Sequence, residues 1–186
     1  FFHGNNKTDE EIEYGIKSGV GYFVVDNKEE LDTVSETASK YGVTQKILLR
    51  LSPGIDPHTH KAVVTGSVDS KFGTAIETGQ AMELTKYALK KPNVYLVGFH
   101  CHIGSQIFEM ESFAHTAEVM MAFNAQVREE AGFVTTELNL GGGFGIYYYE
   151  GDKPVPPEAW VQAVMPCIKQ KAAEFGVPVP RVVVEP

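Results

Sequence analysis

The chain has 186 residues, of which 43% are hydrophobic and 22% charged, a balance that suits one soluble globular domain or a large part of one. A formal charge of -8 with only three arginines argues against a nucleic-acid footprint, because neutralising phosphates takes clustered Lys and Arg. No apolar run approaches the roughly 20 residues of a membrane span, and Cys101 and Cys167 are the only cysteines, so a reducing, cytoplasmic setting is expected. The first residue is Phe1, and Arg181 to Pro186 read as a strand entering a turn, so the chain is expected to be cut at both ends.

Thr8-Asp9-Glu10-Glu11 has the spacing of a capping box and predicts a helix through about Ser18. Gly21 to Val25 is β-prone, and Asn27 with Glu30 repeats the cap logic ahead of a helix reaching about Tyr41. Lys46 to Leu51 is predicted as a strand, Ser52 to Ser70 as a long polar loop, Ile76 to Lys91 as a helix and Val94 to His100 as a strand. From about Glu109 to Glu130 runs a long helix with Phe113, Ala117, Met120, Phe123 and Val127 on one face, which reads as core. Thr136 to Leu140 is a strand, Pro157 to Phe175 a helix opened by a first-turn proline, and Arg181 to Glu185 the last strand.

Strands alternating with helices imply a parallel sheet. An open doubly wound sheet concentrates its chemistry at one switch point, whereas a closed barrel draws it from the C-terminal ends of many strands. Polar or glycine-rich signals stand at Arg50, at His100 to Ser105, at Gly141 to Gly145 and at Glu185, each at the end of a predicted strand. That distribution favours the barrel.

Gly141-Gly142-Gly143-Phe144-Gly145 follows the apolar strand Leu138-Asn139-Leu140, and glycines there let backbone amides close on an anion. Ile146 stands where a third glycine of GxGxxG would fall, so a dinucleotide site fits poorly. His100 and His102, at i and i+2 on a strand, are expected to project to the same face. They suit a zinc ion, a flat contact with a planar cofactor helped by Ser105, or two structural histidines. Glu185 ends the apolar run Val182-Val183-Val184, where a carboxylate needs a cationic partner unless it simply faces solvent. Arg50 could pair with an anion or a carboxylate, the ordinary reading of Lys71 is a solvated charge, and Asp26 and Asn27 read as a helix start.

Together these residues resemble the fold-type III pyridoxal-phosphate decarboxylases, through essentially the whole chain. The resemblance rests on Gly4-Asn5-Asn6-Lys7, on Val25-Asp26 with Glu30-Leu31, on Ser70-Lys71-Phe72-Gly73, on Phe99-His100-Cys101-His102-Ile103-Gly104-Ser105-Gln106, on Leu138 to Ile146, and on Glu185-Pro186. It implies an α/β fold, a partial (β/α)8 barrel of about six of eight units lacking the first strands and a C-terminal β-domain. The implied cofactor is pyridoxal 5'-phosphate, with no metal. His102 would stack on its ring, Ser105 and the amides of Gly141, Gly142 and Gly143 would surround its phosphate, and Glu185, followed by Pro186, would pair with its pyridinium nitrogen. Arg50 would stand behind the site, and Lys71 resembles a lysine at the family's subunit interface.

Gly54-Ile55-Asp56-Pro57-His58-Thr59-His60 with Thr65-Gly66 is similar to members acting on diaminopimelate more than to those acting on ornithine or arginine. The implied reaction of the parent protein is therefore decarboxylation of meso-2,6-diaminopimelate to L-lysine. The implied partners are an amino-acid substrate and a second copy in a homodimer, with no nucleic acid and no membrane. The alternatives are a decarboxylase of another basic amino acid, a zinc-dependent barrel hydrolase, and a non-catalytic cofactor carrier. The family's Tyr-Ala-x-Lys-Ala-Asn motif, whose lysine bonds the cofactor, is absent, and Lys7 follows a different strand's motif, so the 186-residue piece by itself is expected to be inactive. Six strands of a presumed eight would leave two unpaired edges and an open core, so it is also expected to be poorly stable. Tyr147 stands where relatives often carry another residue, arginine among them.

Overall fold

The computed structural model describes residues 1–55 and 72–186. His58, His60, Lys71 and most of the predicted polar loop lie outside the described residues. The chain divides into two compact units, one made of Phe1–Ser52 with the described part of Asp69–His100, the other of the described part of Pro53–Val68 with Cys101–Pro186.

In the first unit the elements run α1 (Asp9–Lys17), β1 (Tyr22–Val25), α2 (Lys28–Lys40), β2 (Gln45–Ser52), β3 (Thr74–Ala75), α3 (Gln80–Ala88) and β4 (Val94–His100). Thr8 opens α1 with the expected reciprocal cap, its hydroxyl accepting from Glu11 N at 3.2 Å while the Glu11 carboxylate accepts from Thr8 N at 2.9 Å. Asn27 caps α2 by accepting from Glu30 N at 2.8 Å. β1 pairs in parallel with β2, and β2 in parallel with β4, placing Arg50 opposite His100. Phe23, Val25, Ile47 and Leu49 are almost wholly buried, and Val24, Leu48 and Val97 form a second buried cluster with Tyr22 packed against it. Side chains alternate across a strand, so both faces are covered, as parallel sheets require.

Two local expectations are corrected in this unit. The helix predicted over 76–91 occupies only Gln80–Ala88. Thr74–Ala75 extends along the end of β2 as β3, and Gly79 takes a left-handed conformation at φ 81°, so the helix starts later. Phe2 also pairs with β1 in parallel, through Phe2 N to Tyr22 O at 2.8 Å and Val24 N to Phe2 O at 3.0 Å.

The second unit holds α4 (Met110–Ala131), β5 (Glu137–Asn139), α5 (Pro157–Phe175) and β6 (Arg181–Val183). The face predicted for α4 is buried, together with Thr116, Met121 and Asn124. It packs on α5, which buries Trp160, Val164, Ile168 and Ala172 one turn apart. Phe113 stacks on Phe144 with ring centroids 5.3 Å apart, and Trp160 meets both edge-on at 6.5 and 5.9 Å. β5 and β6 pair in parallel, and the Arg181 guanidinium meets the buried Glu137 carboxylate at 2.5 Å. Both strands are shorter than predicted, although single bonds continue the pairing beyond them, Leu140 N to Val183 O at 3.0 Å and Glu185 N to Gly141 O at 2.8 Å, where Gly141 takes φ 67°. Every pairing between these strands in either unit is parallel, which defines an α/β fold. Among the described residues no helix is long and apolar enough to cross a membrane.

Candidate functional site

The chemistry of the second unit collects where β5 ends. Leu138 and Leu140 are buried, and between them Asn139 is also wholly excluded from solvent. Its side chain is used at both ends: Nδ2 donates to Glu185 Oε1 at 2.8 Å, and Oδ1 accepts from Gly141 N at 2.9 Å. A buried amide is tolerated only with such partners. The neighbouring backbones add Glu185 N to Gly141 O at 2.8 Å and Cys101 N to Asn139 O at 2.9 Å.

The three glycines are explained by contact as well as by conformation. A Cβ on Gly141 would lie 2.5 Å from Cys101 O, one on Gly142 1.8 Å from Glu185 O, and one on Gly143 2.0 Å from Gly104 O. No larger residue fits, so the run lets the segments after β4, β5 and β6 close on one another. Two of the amides predicted for an anion already serve the protein: Gly141 N binds Asn139, and Gly142 N donates to His102 Nδ1 over 3.3 Å.

His102 is exposed on the segment that follows β4, with Nδ1 turned to Gly142. That bond takes the lone pair a metal would need and leaves the ring face to other uses. β4 ends at His100, so the alternation rule does not carry to His102, and the expected histidine pair is not formed as a strand pair. His100 is instead buried beside the His3 ring, 4.9 Å between centroids. Ser105 is exposed on the same segment as His102. Gln106, at φ 56°, is one of two non-glycine residues with positive φ among those described. Its side chain clamps the glycine loop by donating to Ile146 O and accepting from Ile146 N, each at 2.9 Å. Ile107 N to Gly143 O and Gly145 N to Ile107 O, both at 2.9 Å, complete the seam. Glu185 is half-buried, and Pro186 follows it, exposed.

The structure thus joins His102, Gly141, Gly142 and Glu185 in one hydrogen-bonded set, with Gly143 packed against Gly104 beside it and Ser105 on the adjoining turn. Asn139 joins the set and was not singled out from sequence. Its signal was a polar residue within an apolar strand, and the partner that gives it meaning lies 46 residues away.

Arg50 belongs to the first unit, where its Nε lies 3.8 Å from Asp26 Oδ1 and its guanidinium 4.5 Å from the centre of the Phe72 ring. Asp26 is therefore more than a helix start, since its Oδ1 also accepts from Gly73 N at 3.1 Å. Burial pushes the Asp26 carboxyl above its ordinary range, against the pull of Arg50. Lys7 is buried and donates to Gly4 O, Val24 O and Glu30 Oε1 at 2.6 to 2.8 Å. Burial raises the Glu30 carboxyl too, with Lys7 opposing it. An amine held by three acceptors is tied into the first unit as a structural cation.

This chain, with its parallel α/β fold, belongs to the pyridoxal-dependent decarboxylases, matching the family's pyridoxal-binding domain over residues 1–186. Pyridoxal phosphate is the cofactor of that family. Within it, the chain is 44% identical over 185 residues to the diaminopimelate decarboxylase of Halalkalibacterium halodurans and 38% identical to that of Bacillus subtilis, covering 100% of this chain in both comparisons. The crystal structure of diaminopimelate decarboxylase from M. jannaschii superposes with a TM-score of 0.89 at 37% identity, covering 100% of this chain and 42% of that one. Its co-complex with L-lysine gives 0.87, over 98% and 42%. This chain spans 42% of the length of either curated relative.

Proposed function

We propose that the chain is the pyridoxal-phosphate-binding part, about six units of a (β/α)8 barrel, of an enzyme that decarboxylates meso-2,6-diaminopimelate to L-lysine. The observation that carries this reading is the bonded set of Asn139, Glu185, Gly141, Gly142 and His102. The relatives at 35% to 44% identity are diaminopimelate decarboxylases, which supports the substrate.

The donor set suits the cofactor. Glu185 Oε1 accepts from the neutral amide of Asn139, and a carboxylate oriented in this way is the kind of group that pairs with a cationic ring nitrogen. When bound, pyridoxal phosphate supplies a conjugated ring that accepts the electron pair left as carbon dioxide departs from an α-carbon. Glu185 holds the proton at the ring nitrogen. His102, turned by Gly142 N, offers the flat of its imidazole to the ring. With Gly141 N and Gly142 N engaged inside the protein, the phosphate falls mainly to Ser105 and Gly143. By the resemblance Arg50, which faces Asp26 within its own unit, is a supporting residue, and Lys71 is a candidate for the subunit interface. We place the full-length protein in the cytoplasm as a homodimer.

Full-length protein with pyridoxal phosphate is expected to release carbon dioxide and L-lysine from meso-diaminopimelate in preference to ornithine or arginine. Faster turnover of either of those would overturn the substrate assignment. Borohydride reduction followed by peptide mapping is expected to label a lysine outside residues 1–186, and labelling at Lys7 would contradict the role given to its three acceptors.

A further inference from the structure

We infer that Asn139 is a positioning residue that fixes the Glu185 carboxylate and the glycine run in a single register. The inference rests on the reading that Glu185 faces the cofactor's ring nitrogen, and it deepens that reading. Both ends of one buried amide are engaged, Oδ1 by Gly141 N at 2.9 Å and Nδ2 by Glu185 Oε1 at 2.8 Å. The backbone amide of Gly141 can only donate, so it fixes which end of Asn139 is the acceptor and turns the NH2 group toward the carboxylate. The glycine run after β5 and the carboxylate at Glu185 are therefore both held by one rigid planar group. The main chain reinforces the same register through Glu185 N to Gly141 O at 2.8 Å, and Gly142 passes it on to His102 Nδ1.

The geometry needs an amide at position 139. An aspartate would still accept from Gly141 N but would set a second carboxylate about 2.8 Å from Glu185 Oε1. Two carboxylates at that distance share one proton, and the pair titrates with a raised apparent pKa. Below that titration the pair carries one negative charge, as the native arrangement does. Above it, two anions repel and the register is lost. His102, whose Nδ1 accepts from Gly142 N on this loop, is common to every variant compared.

The test uses full-length protein reconstituted with pyridoxal phosphate and compares wild type, Asn139→Ala, Asn139→Asp, Glu185→Gln and the exchanged pair Asn139→Asp/Glu185→Gln. Asn139→Ala should lower kcat about 10- to 100-fold with a smaller change in KM, as removal of an orienting partner does. Asn139→Asp should add to the absorbance of the bound cofactor a pH titration that wild type lacks, with activity kept on its acid side and lost on its alkaline side. The exchanged pair restores one donor facing one carboxylate, so it should lose the new titration and recover the melting temperature while remaining slow. Asn139→Asp keeps size and the Gly141 contact, and it carries the test where Asn139→Ala does not fold. Wild-type protein that binds no pyridoxal phosphate would overturn the functional reading and this inference with it. Competent wild type alongside an Asn139→Asp variant with an unchanged spectrum, pH profile and kcat would overturn this inference alone.

Discussion

A Cβ on Gly142 would meet the Glu185 carbonyl oxygen at 1.8 Å, and that neighbour is backbone, so no side-chain rotation relieves it. Gly142→Ala is therefore expected to move the Glu185 segment by something near an ångström and to lower kcat/KM about 100-fold. Gly21→Ala, where an added Cβ meets nothing within 4 Å, is the matched control and should leave activity unchanged. Steady-state kinetics of the two full-length variants would check the contrast. Asp26 offers a test of sign. Its folded pKa is raised from 3.8, so between 3.8 and the raised value the folded state binds the proton that the unfolded state has released. Its contribution to stability is then present at the acid side of that window and falls as pH rises through it. Asn at this position mimics the protonated form, so the melting-temperature deficit of Asp26→Asn is expected to be larger near pH 4 than near pH 7. A deficit that grows toward pH 7 would mean that Arg50 outweighs the burial of Asp26.

Caps and seams define the elements. The Thr8 box was legible because both partners fall within one turn, and Thr8→Ala is expected to destabilise by about 1 kcal/mol, read from the shift in denaturant midpoint. The core face of α4 was legible for a similar reason, since periodicity displays it in the sequence. β3 was not, because two residues joined to the end of β2 leave no pattern. Asn139, Arg50 and Gln106 mark the same limit for the site. Each has its ordinary reading locally, and each draws its role from a partner brought close only by the fold: Glu185, Asp26 and Ile146. The glycine run was noticed for its amides, whereas the structure assigns it first to close packing of three strand-end segments. Gln106→Ala removes both bonds to Ile146, and it is expected to weaken pyridoxal phosphate binding by about tenfold, measured by fluorescence titration.

Each of the two units is a set of parallel strands with its own packed helices, and the proposed cofactor contacts all belong to the second. The first contributes a buried charged set, Lys7 with Glu30 and Asp26 with Arg50, whose partners satisfy one another. Membership in the decarboxylase family fixes the cofactor class, and diaminopimelate is the substrate proposed above. The central claim is that Glu185, held by Asn139, is the carboxylate that makes the ring an electron acceptor. It is tested most directly by carbon dioxide release from meso-diaminopimelate by full-length wild-type and Glu185→Gln protein, both saturated with pyridoxal phosphate. Wild type should turn over, and the variant should bind the cofactor yet run about 100-fold or more slower, the usual effect of removing one preorganised charge partner. Equal rates in the two proteins, or release that does not depend on pyridoxal phosphate, would contradict it.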